Sequence, residues 1–189
     1  VVWDAFSGQG VLGFTLLAEG LCEAAVALDR SAPALASFRR NLAAHGLAER
    51  ARTVQVDLGS PAALRGLRER LPHLGGAPEF GDSDDEASPP EASAEGDGAP
   101  DAGGELPPPD ILLADPGRNG LPKAFRRFCY ELRPPTLVYI ASGRPLLADL
   151  SLLQRRGYQL ESLTAWDTSP HHPRLEVVAC LRWQGRPSP

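Results

Sequence analysis

The chain has 189 residues, of which 42% are hydrophobic, and this suits one globular domain with an ordinary core. Its three cysteines are odd in number and far apart, with no CxxC pair and no clustered His, so neither a disulfide framework nor a metal site is indicated. No apolar run approaches the roughly 18 residues that span a bilayer, and no secretory leader is present. We therefore expect an intracellular, by default cytoplasmic, monomer without membrane contact.

Apolar runs and helical patterns alternate along the chain, which predicts a Rossmann-like α/β fold with a seven-stranded, mostly parallel sheet. Strands are predicted over 1–4, 24–29, 52–56, 110–114, 136–141, 158–166 and 175–183. Helices are predicted over 10–19, 32–45, 61–71, 121–131 and 145–156. We take residues 1–189 as one domain. Because the chain lacks Met and opens inside its first strand, we expect N-terminal parts of a longer protein to be missing.

The first strand leads into a glycine-rich loop that opens the first helix. Asp4 is followed by Gly8, Gly10 and Gly13, and glycines at such a turn let the backbone approach a nucleotide-type ligand. The carboxylate of Asp4 would repel phosphate oxygens, whereas S-adenosylmethionine carries a sulfonium and an ammonium group. The pattern favours this methyl donor over a dinucleotide or an empty structural turn.

Acidic residues end four of the predicted strands. They are Asp4, Asp29, Asp57 and Asp115. In a sheet wound in this way, ligands bind beyond the carboxyl ends of the strands. Asp29 ends the second strand, where a carboxylate accepts hydrogen bonds from ribose hydroxyls. We therefore expect the donor pocket along this edge.

The net charge of −5 is concentrated between residues 76 and 109, which contain ten acidic residues and no Lys or Arg. Outside this segment 14 acidic residues face 19 basic ones, so the remaining body is about +5, which is compatible with a polyanionic partner. The segment is rich in Gly, Pro, Ser and Ala and is predicted to be a disordered insert. Arg126 and Arg127 are candidates for phosphate contacts, although neighbouring arginines more often form a solvated helix face.

A second loop with candidate functional residues follows the fourth strand. In the sequence Asp115-Pro116-Gly117-Arg118-Asn119-Gly120-Leu121, the carboxylate can accept hydrogen bonds from a base and Arg118 can hold a phosphate or a carboxylate. The alternative is a simple turn with a surface ion pair. Its place after the fourth strand favours a functional loop that presents the methyl acceptor.

These motifs resemble the catalytic domain of the RNA 5-methyluridine (uracil-C5) methyltransferases, over nearly the whole chain outside the acidic insert. The segment 4–10 is similar to the donor loop of that family. Segments 28–31 and 40–47 resemble its second-strand acid and an N-x-x-x-N-G-L-like helix end. The segment 115–121 resembles its Asp-Pro-Pro-Arg-x-Gly-Leu signature, and 167–179 is similar to the segment with its catalytic glutamate.

The resemblance implies a function and site residues. It implies a methyltransferase that uses S-adenosylmethionine to modify tRNA or rRNA, with RNA as partner and no metal. Glu176 would remove the proton from C5 of uracil. The residues bordering the donor and the target base would be Phe6, Gly8, Gly10, Asp29 and Asp115.

The sequence departs from the family pattern in the acceptor pocket. Ser142 occupies the position of the family's nucleophilic cysteine, and Gly117 replaces the second proline of the Asp-Pro-Pro-Arg motif. A thiol with a pKa near 8.5 yields its anion far more readily than an alcohol does, so a serine would need its own base. His171 or His172 could serve, although a proline-flanked histidine pair more often forms a surface turn.

Three interpretations remain open from the sequence. The chain is an RNA methyltransferase of this type that uses altered chemistry, or it methylates a nitrogen or oxygen atom that needs no covalent adduct. Alternatively, it is a catalytically silent module that binds RNA or S-adenosylmethionine, because likeness of fold does not decide activity.

Overall fold

The computed structural model describes residues 1–74, 103–142, 145–168, 171 and 175–185. Its strands are β1 (Val2–Ala5), β2 (Ala25–Asp29), β3 (Ala51–Gln55), β4 (Ile111–Ala114), β5 (Thr136–Ser142), β6 (Tyr158–Trp166) and β7 (Glu176–Trp183). Its helices are α1 (Val11–Ala18), α2 (Ala32–Ala44), α3 (Pro61–Glu69), α4 (Lys123–Leu132) and α5 (Pro145–Arg155). The predicted elements are all present, and their ends lie close to the predicted ones.

The strands form one seven-stranded sheet in the order β3-β2-β1-β4-β5-β7-β6. β1 to β5 run parallel to one another, and β7 lies antiparallel between β5 and β6. The predicted fold class, an α/β fold with a mostly parallel seven-stranded sheet, is therefore confirmed. The carboxyl ends of β1, β2, β4 and β5 meet at one edge, which we call the carboxyl edge.

Helices cover both faces of the sheet because its strands alternate their side chains between two apolar layers. In β2, Val26 and Leu28 join the larger buried cluster with α3, α4 and α5. Ala25 and Ala27 face the opposite way and join a smaller cluster with α1 and α2. Strands buried on both faces explain why the sequence shows continuous apolar runs rather than polar alternation.

Local signals start the helices close to where the sequence predicts them. The hydroxyls of Ser31 and Ser60 accept hydrogen bonds from the Ala34 and Ala63 N–H groups, and each helix has proline in its first turn. α1 begins one residue later than predicted because Gly10 adopts a left-handed conformation, with φ of 75°. None of the described helices has the length and apolar character needed to cross a membrane.

The predicted acidic insert, 76–109, is only partly described, and most of it lies outside the described residues. Its last part, 103–109, does pack against the domain. Leu106 is 2% exposed and its N–H donates to the Arg70 carbonyl, while the Trp3 indole N–H donates to the Pro107 carbonyl at 3.0 Å. The predicted end of the disordered segment at 109 is therefore wrong, because one leucine and its backbone anchor this stretch to the core.

Candidate active site

The loop after β1 presents bare backbone at the carboxyl edge. Gly8 and Gly10 have φ of 54° and 75°, values that favour glycine. A Cβ on Gly10 would lie 2.4 Å from the Phe38 ring, so this residue sits tightly on α2. A Cβ on Gly8 would meet nothing within 4 Å, so the loop is open there. The predicted glycines thus have two roles: Gly10 packs, and Gly8 leaves space.

Phe6, at the start of this loop, adopts an unusual backbone conformation. Its φ of 62° is uncommon for a residue with a side chain. The ring is half-buried and meets the ring of Phe125 edge to face, with centroids 4.9 Å apart. This contact with α4 anchors the loop to the larger core, and the strained backbone marks the loop as a site candidate.

Asp29 clamps the glycine loop from the end of β2. Its Oδ2 accepts a hydrogen bond from the Gly8 N–H at 2.8 Å, and its Oδ1 accepts one from the Ser31 N–H at 2.8 Å. Each carboxylate oxygen can accept a further hydrogen bond. Asp29 therefore shapes the loop and still offers acceptor capacity at the carboxyl edge.

Asp4 lies deeper than its place in the sequence suggests. Its side chain is 1% exposed, and its Oδ2 accepts from the Gly13 N–H at 2.9 Å. Burial, with smaller contributions from the charges of Asp115 and Asp29, raises the pKa of Asp4 to about 6. The expectation that Asp4 ends a strand at the ligand-facing edge is corrected, because this carboxylate is covered by α1.

Asp115 and Glu176 extend the negative field along the carboxyl edge. Burial raises the pKa of Asp115 above its usual range, and the nearby charge of Glu176 adds to this effect. Asp4 is in turn coupled to both Asp115 and Asp29. Acidic groups from β1, β2, β4 and β7 therefore share one electrostatic environment, and they favour a ligand with positive charge.

Asp57 is arranged differently from these residues. It is exposed after β3, and its Oδ1 accepts a hydrogen bond from the Gly59 N–H at 2.8 Å. This contact shapes its own turn, as aspartate commonly does. Asp57 thus lies at the carboxyl edge, where the sequence places it, and its part in ligand binding stays a prediction.

The sheet register brings the two predicted catalytic positions together. Ser142 is the last residue of β5, and its backbone partner on β7 is Glu176. Glu176 is also the partner of Trp166, the last residue of β6. The Cα atoms of directly opposed residues on antiparallel strands lie about 5 Å apart. Glu176 is exposed, and the indole of Trp166 beside it is 59% exposed.

The loop after β4 has a glycine, Gly117, where the motif that it resembles has its second proline. Gly117 has φ of 74°, which a proline ring cannot adopt. Arg118 is exposed on this loop, and Gly120 ends it with φ of 74°. The replacement of the second proline by Gly117 therefore goes with a different backbone path.

A buried carboxylate beneath this loop was not singled out by the sequence reasoning. Asp149 of α5 is 3% exposed and accepts hydrogen bonds from the Leu121 N–H, the Tyr139 hydroxyl and the Arg126 guanidinium. Burial and the Asp149 carboxylate raise the pKa of Tyr139 strongly. An aspartate within an apolar helix pattern is the signal that could have indicated this cluster.

Arg126 and Arg127, the candidates for phosphate contacts, both pair with carboxylates of this domain. Arg126 is bonded to Asp149 at 2.9 Å, and Arg127 pairs with Glu131 at 3.3 Å one turn along α4. Both side chains are therefore engaged within the domain, because α4 packs between the loop after β4 and α3.

The cysteines do not supply a thiol beside Glu176. Cys129 is fully buried, and burial strongly raises the pKa of its thiol. Cys180 pairs with Val138 in the sheet, four residues along β7 from Glu176, and Cys22 lies far away before β2.

Of the two histidines that could act as a base for Ser142, His171 is exposed and His172 lies outside the described residues. No group of three or more described His, Cys, Asp or Glu side chains is arranged to hold a metal ion.

Comparisons with known proteins relate the chain to methyltransferases without defining its family. No family model matches the chain. A protein of Clostridium tetani, described as an uncharacterized RNA methyltransferase, is 36% identical over 76 residues. The match covers 39% of this chain and only 16% of that relative. The similarity is therefore confined to a short part of a much longer protein.

Solved structures with the same architecture differ in activity. The tRNA (uracil-54, C5)-methyltransferase of Pyrococcus abyssi, solved with S-adenosyl-L-homocysteine, matches 95% of this chain and 33% of its own. The TM-score is 0.62 and the identity 21%. The cyclase SpnF matches 97% of this chain with a TM-score of 0.56 and 11% identity. The domain therefore has the fold of class I S-adenosylmethionine-dependent methyltransferases.

Proposed function

We propose that this chain is the catalytic domain of an S-adenosylmethionine-dependent RNA methyltransferase that acts on C5 of uracil. The observation that carries the proposal is the meeting of Ser142 and Glu176 as sheet partners, with Asp115 in the same electrostatic environment. The RNA methyltransferase similar over 76 residues and the uracil-C5 enzyme of P. abyssi support it.

The residues around the glycine loop fit the methyl donor. The hydroxyl of Ser7 is buried at this loop without a hydrogen-bond partner among the described residues. Space is open at Gly8, and Asp29 can accept a further hydrogen bond from a ribose hydroxyl. The negative field of the carboxylates along the carboxyl edge favours the binding of a sulfonium and an ammonium group. When bound, S-adenosylmethionine supplies an electrophilic methyl group.

The acceptor residues would act on both carbons of the uracil double bond. C5 is a weak nucleophile until an anion adds at C6. In the proposed reaction the Ser142 oxygen forms a bond to C6 as its proton passes to a neighbouring carboxylate. C5 would then take the methyl group as the methyl–sulfur bond breaks, which would leave the donor as a neutral thioether. Glu176 would then remove the C5 proton, and the electron pair released would re-form the double bond and expel the Ser142 oxygen. That oxygen would take its proton back from the carboxylate that received it, which restores the serine hydroxyl.

The serine also supports a second candidate, methylation of a base nitrogen. A nitrogen lone pair attacks a methyl sulfonium without prior addition to the ring, so this reaction needs no thiolate. Ser142 would then be a polar residue at the rim of the pocket, and Glu176 would accept the proton released from the nitrogen. Loss of activity would follow substitution of Glu176 but not of Ser142.

Transfer of labelled methyl groups into unmodified tRNA and rRNA transcripts, followed by nucleoside analysis, tests the proposal. We expect label in 5-methyluridine, and we expect Glu176→Gln to lower the rate by about 100-fold or more, as loss of a positioned proton acceptor does. Glu161→Gln is the matched control, since Glu161 is a part-exposed glutamate on β6 that pairs with Arg182. It should leave the rate unchanged.

Two substitutions at Ser142 separate the candidates. Ser142→Ala should abolish transfer to C5, whereas Ser142→Cys should raise it, because a thiol ionises far more readily than an alcohol. Label in a methylated adenine or guanine that survives Ser142→Ala would replace the uracil proposal with the nitrogen candidate. Absence of label in every RNA, with donor binding intact, would identify a silent binding module.

A further inference from the structure

A buried carboxylate connects the two sides of the acceptor pocket. Asp149 lies one turn into α5, and the first residue of α5, Pro145, comes three residues after Ser142. The Asp149 Oδ2 accepts from the Leu121 N–H at 2.9 Å and from the Tyr139 hydroxyl at 2.7 Å. Its Oδ1 accepts from Arg126 at 2.9 Å. Three elements and a loop therefore converge on one side chain.

The loop after β4 also contacts α5 directly. A Cβ on Gly120 would lie 2.6 Å from the Asp149 Oδ2 and 2.6 Å from the Cβ of Pro145. The guanidinium of Arg126 donates both to Asp149 and to the Leu121 carbonyl. Leu121, which follows the Asp115–Gly120 loop, is thus hydrogen-bonded through both its N–H and its carbonyl. These bonds hold the end of the loop against α5, the helix that follows Ser142.

We propose that Asp149 is a positioning residue that sets the distance between the Asp115–Gly120 loop and the Ser142–Glu176 pair. This inference rests on the proposed function. Stability alone does not explain a buried charge that collects three donors, since well-packed apolar residues of similar volume often stabilise a core as well or better. A carboxylate that receives donors from fixed directions defines the position of each donor, and reaction rates fall steeply with small errors in that position.

The variant Asp149→Asn tests this role. In the asparagine side chain an NH₂ group, which only donates, replaces one of the two accepting oxygens. This NH₂ group would face another donor, either the Arg126 guanidinium or the Leu121 N–H and the Tyr139 hydroxyl. We expect kcat for methyl transfer to fall on the order of 100-fold, because the acceptor loop would shift relative to Ser142. The donor affinity measured by calorimetry should stay within about threefold, since the hydrogen-bond partners of Asp149 are Leu121, Arg126 and Tyr139 and none of them belongs to the glycine loop.

Glu131→Gln is the matched control. Glu131 is a mostly buried carboxylate of α4 that pairs with Arg127 and with Arg68 of α3, but it does not contact the Asp115–Gly120 loop. We expect this variant to lose stability without a selective loss of kcat. Tyr139→Phe is a milder test, because it removes one donor and keeps the Leu121 contact, and should lower kcat about tenfold.

Hydrogen exchange of the Leu121 amide tests the contact without reference to activity. Its exchange rate should rise at least about tenfold in Asp149→Asn, because the anchored loop would open more often. Unchanged exchange together with unchanged kcat would overturn the proposal, as would an equal loss of kcat in Glu131→Gln. Equal losses of kcat and donor affinity would also overturn it. If the wild-type chain methylates no RNA, the proposed function fails, and Leu121 exchange alone decides the positioning role.

Discussion

The two halves of the carboxyl edge are built in different ways. In the β1–β2 half (Phe6–Gly10 and Asp29), an aspartate accepts hydrogen bonds from backbone N–H groups beside its own strand end, as in the contacts of Asp29 with Gly8 and Ser31. In the β4–β5–β7 half (Asp115–Gly120, Ser142 and Glu176), long-range register and the buried Asp149 side chain hold the parts together.

This difference explains where the chain departs from the family that it resembles. Both departures, Ser142 and Gly117, lie in the β4–β5–β7 half. Side chains there can change without altering the Asp29 clamp on the glycine loop, because both hydrogen bonds of Asp29 lie within the β1–β2 half. A change in acceptor chemistry is therefore compatible with an intact donor pocket, and the predictions below test this separation.

The largest effect is expected at Gly10. In Gly10→Ala the new Cβ would lie 2.4 Å from the Phe38 ring at φ of 75°, so the β1–β2 half should be destabilised by about 3 kcal/mol. Gly66→Ala in α3, where nothing lies within 4 Å, should instead stabilise the chain by up to about 1 kcal/mol. Denaturant unfolding measures both, and an equal response would contradict the close packing of Gly10.

Asp29→Ala should weaken donor binding by about 100-fold while RNA affinity stays unchanged. The substitution removes the clamp on Gly8 as well as the acceptor offered to the ribose, and each charged hydrogen bond is worth about 1.5–3 kcal/mol. Calorimetry with S-adenosylmethionine provides the measurement. Asp57→Ala is the control, because Asp57 is exposed and bonds to its own turn; a loss equal to that of Asp29→Ala would extend the pocket to β3.

Asp4 should make stability depend on pH in a specific direction. Burial raises its pKa from 3.8 to about 6, so the folded state binds a proton that the unfolded state releases between these values. The stability that this proton provides is present below pH 3.8 and is lost as the pH rises through 6. From pH 7 to 4.5 the wild type should gain about 2 kcal/mol relative to Asp4→Asn, measured by urea unfolding. Parallel pH profiles of the two proteins would contradict this.

The smallest effect is expected at Trp166. Its exposed indole lies beside Glu176, where an unpaired RNA base can stack on it. Trp166→Ala should raise KM for RNA about fivefold, at the low end of measured stacking energies, and leave donor affinity unchanged. Leu163→Ala removes a similarly exposed apolar group from the same strand and should not change KM. A loss of donor affinity in Trp166→Ala would break the separation of the two halves.

Local patterns were enough to predict the elements and much of the carboxyl edge. Serine caps with proline in the first turn mark α2 and α3, and apolar runs mark the buried strands, so the predicted ends lie close to the observed ones. The placement of Asp29 and Asp115 after parallel strands also followed, because strand direction alone brings their carboxyl ends to one edge.

Only the tertiary structure decided the contacts that join distant segments. The pairing of Ser142 with Glu176, the burial of Asp4 beneath α1 and the three donors of Asp149 depend on strand order, register and helix packing. Leu106 likewise packs part of the predicted acidic insert against the domain, because its buried side chain anchors a stretch whose composition predicts disorder. Periodicity reports which face a residue occupies, whereas its partner is set by packing between elements far apart in the chain.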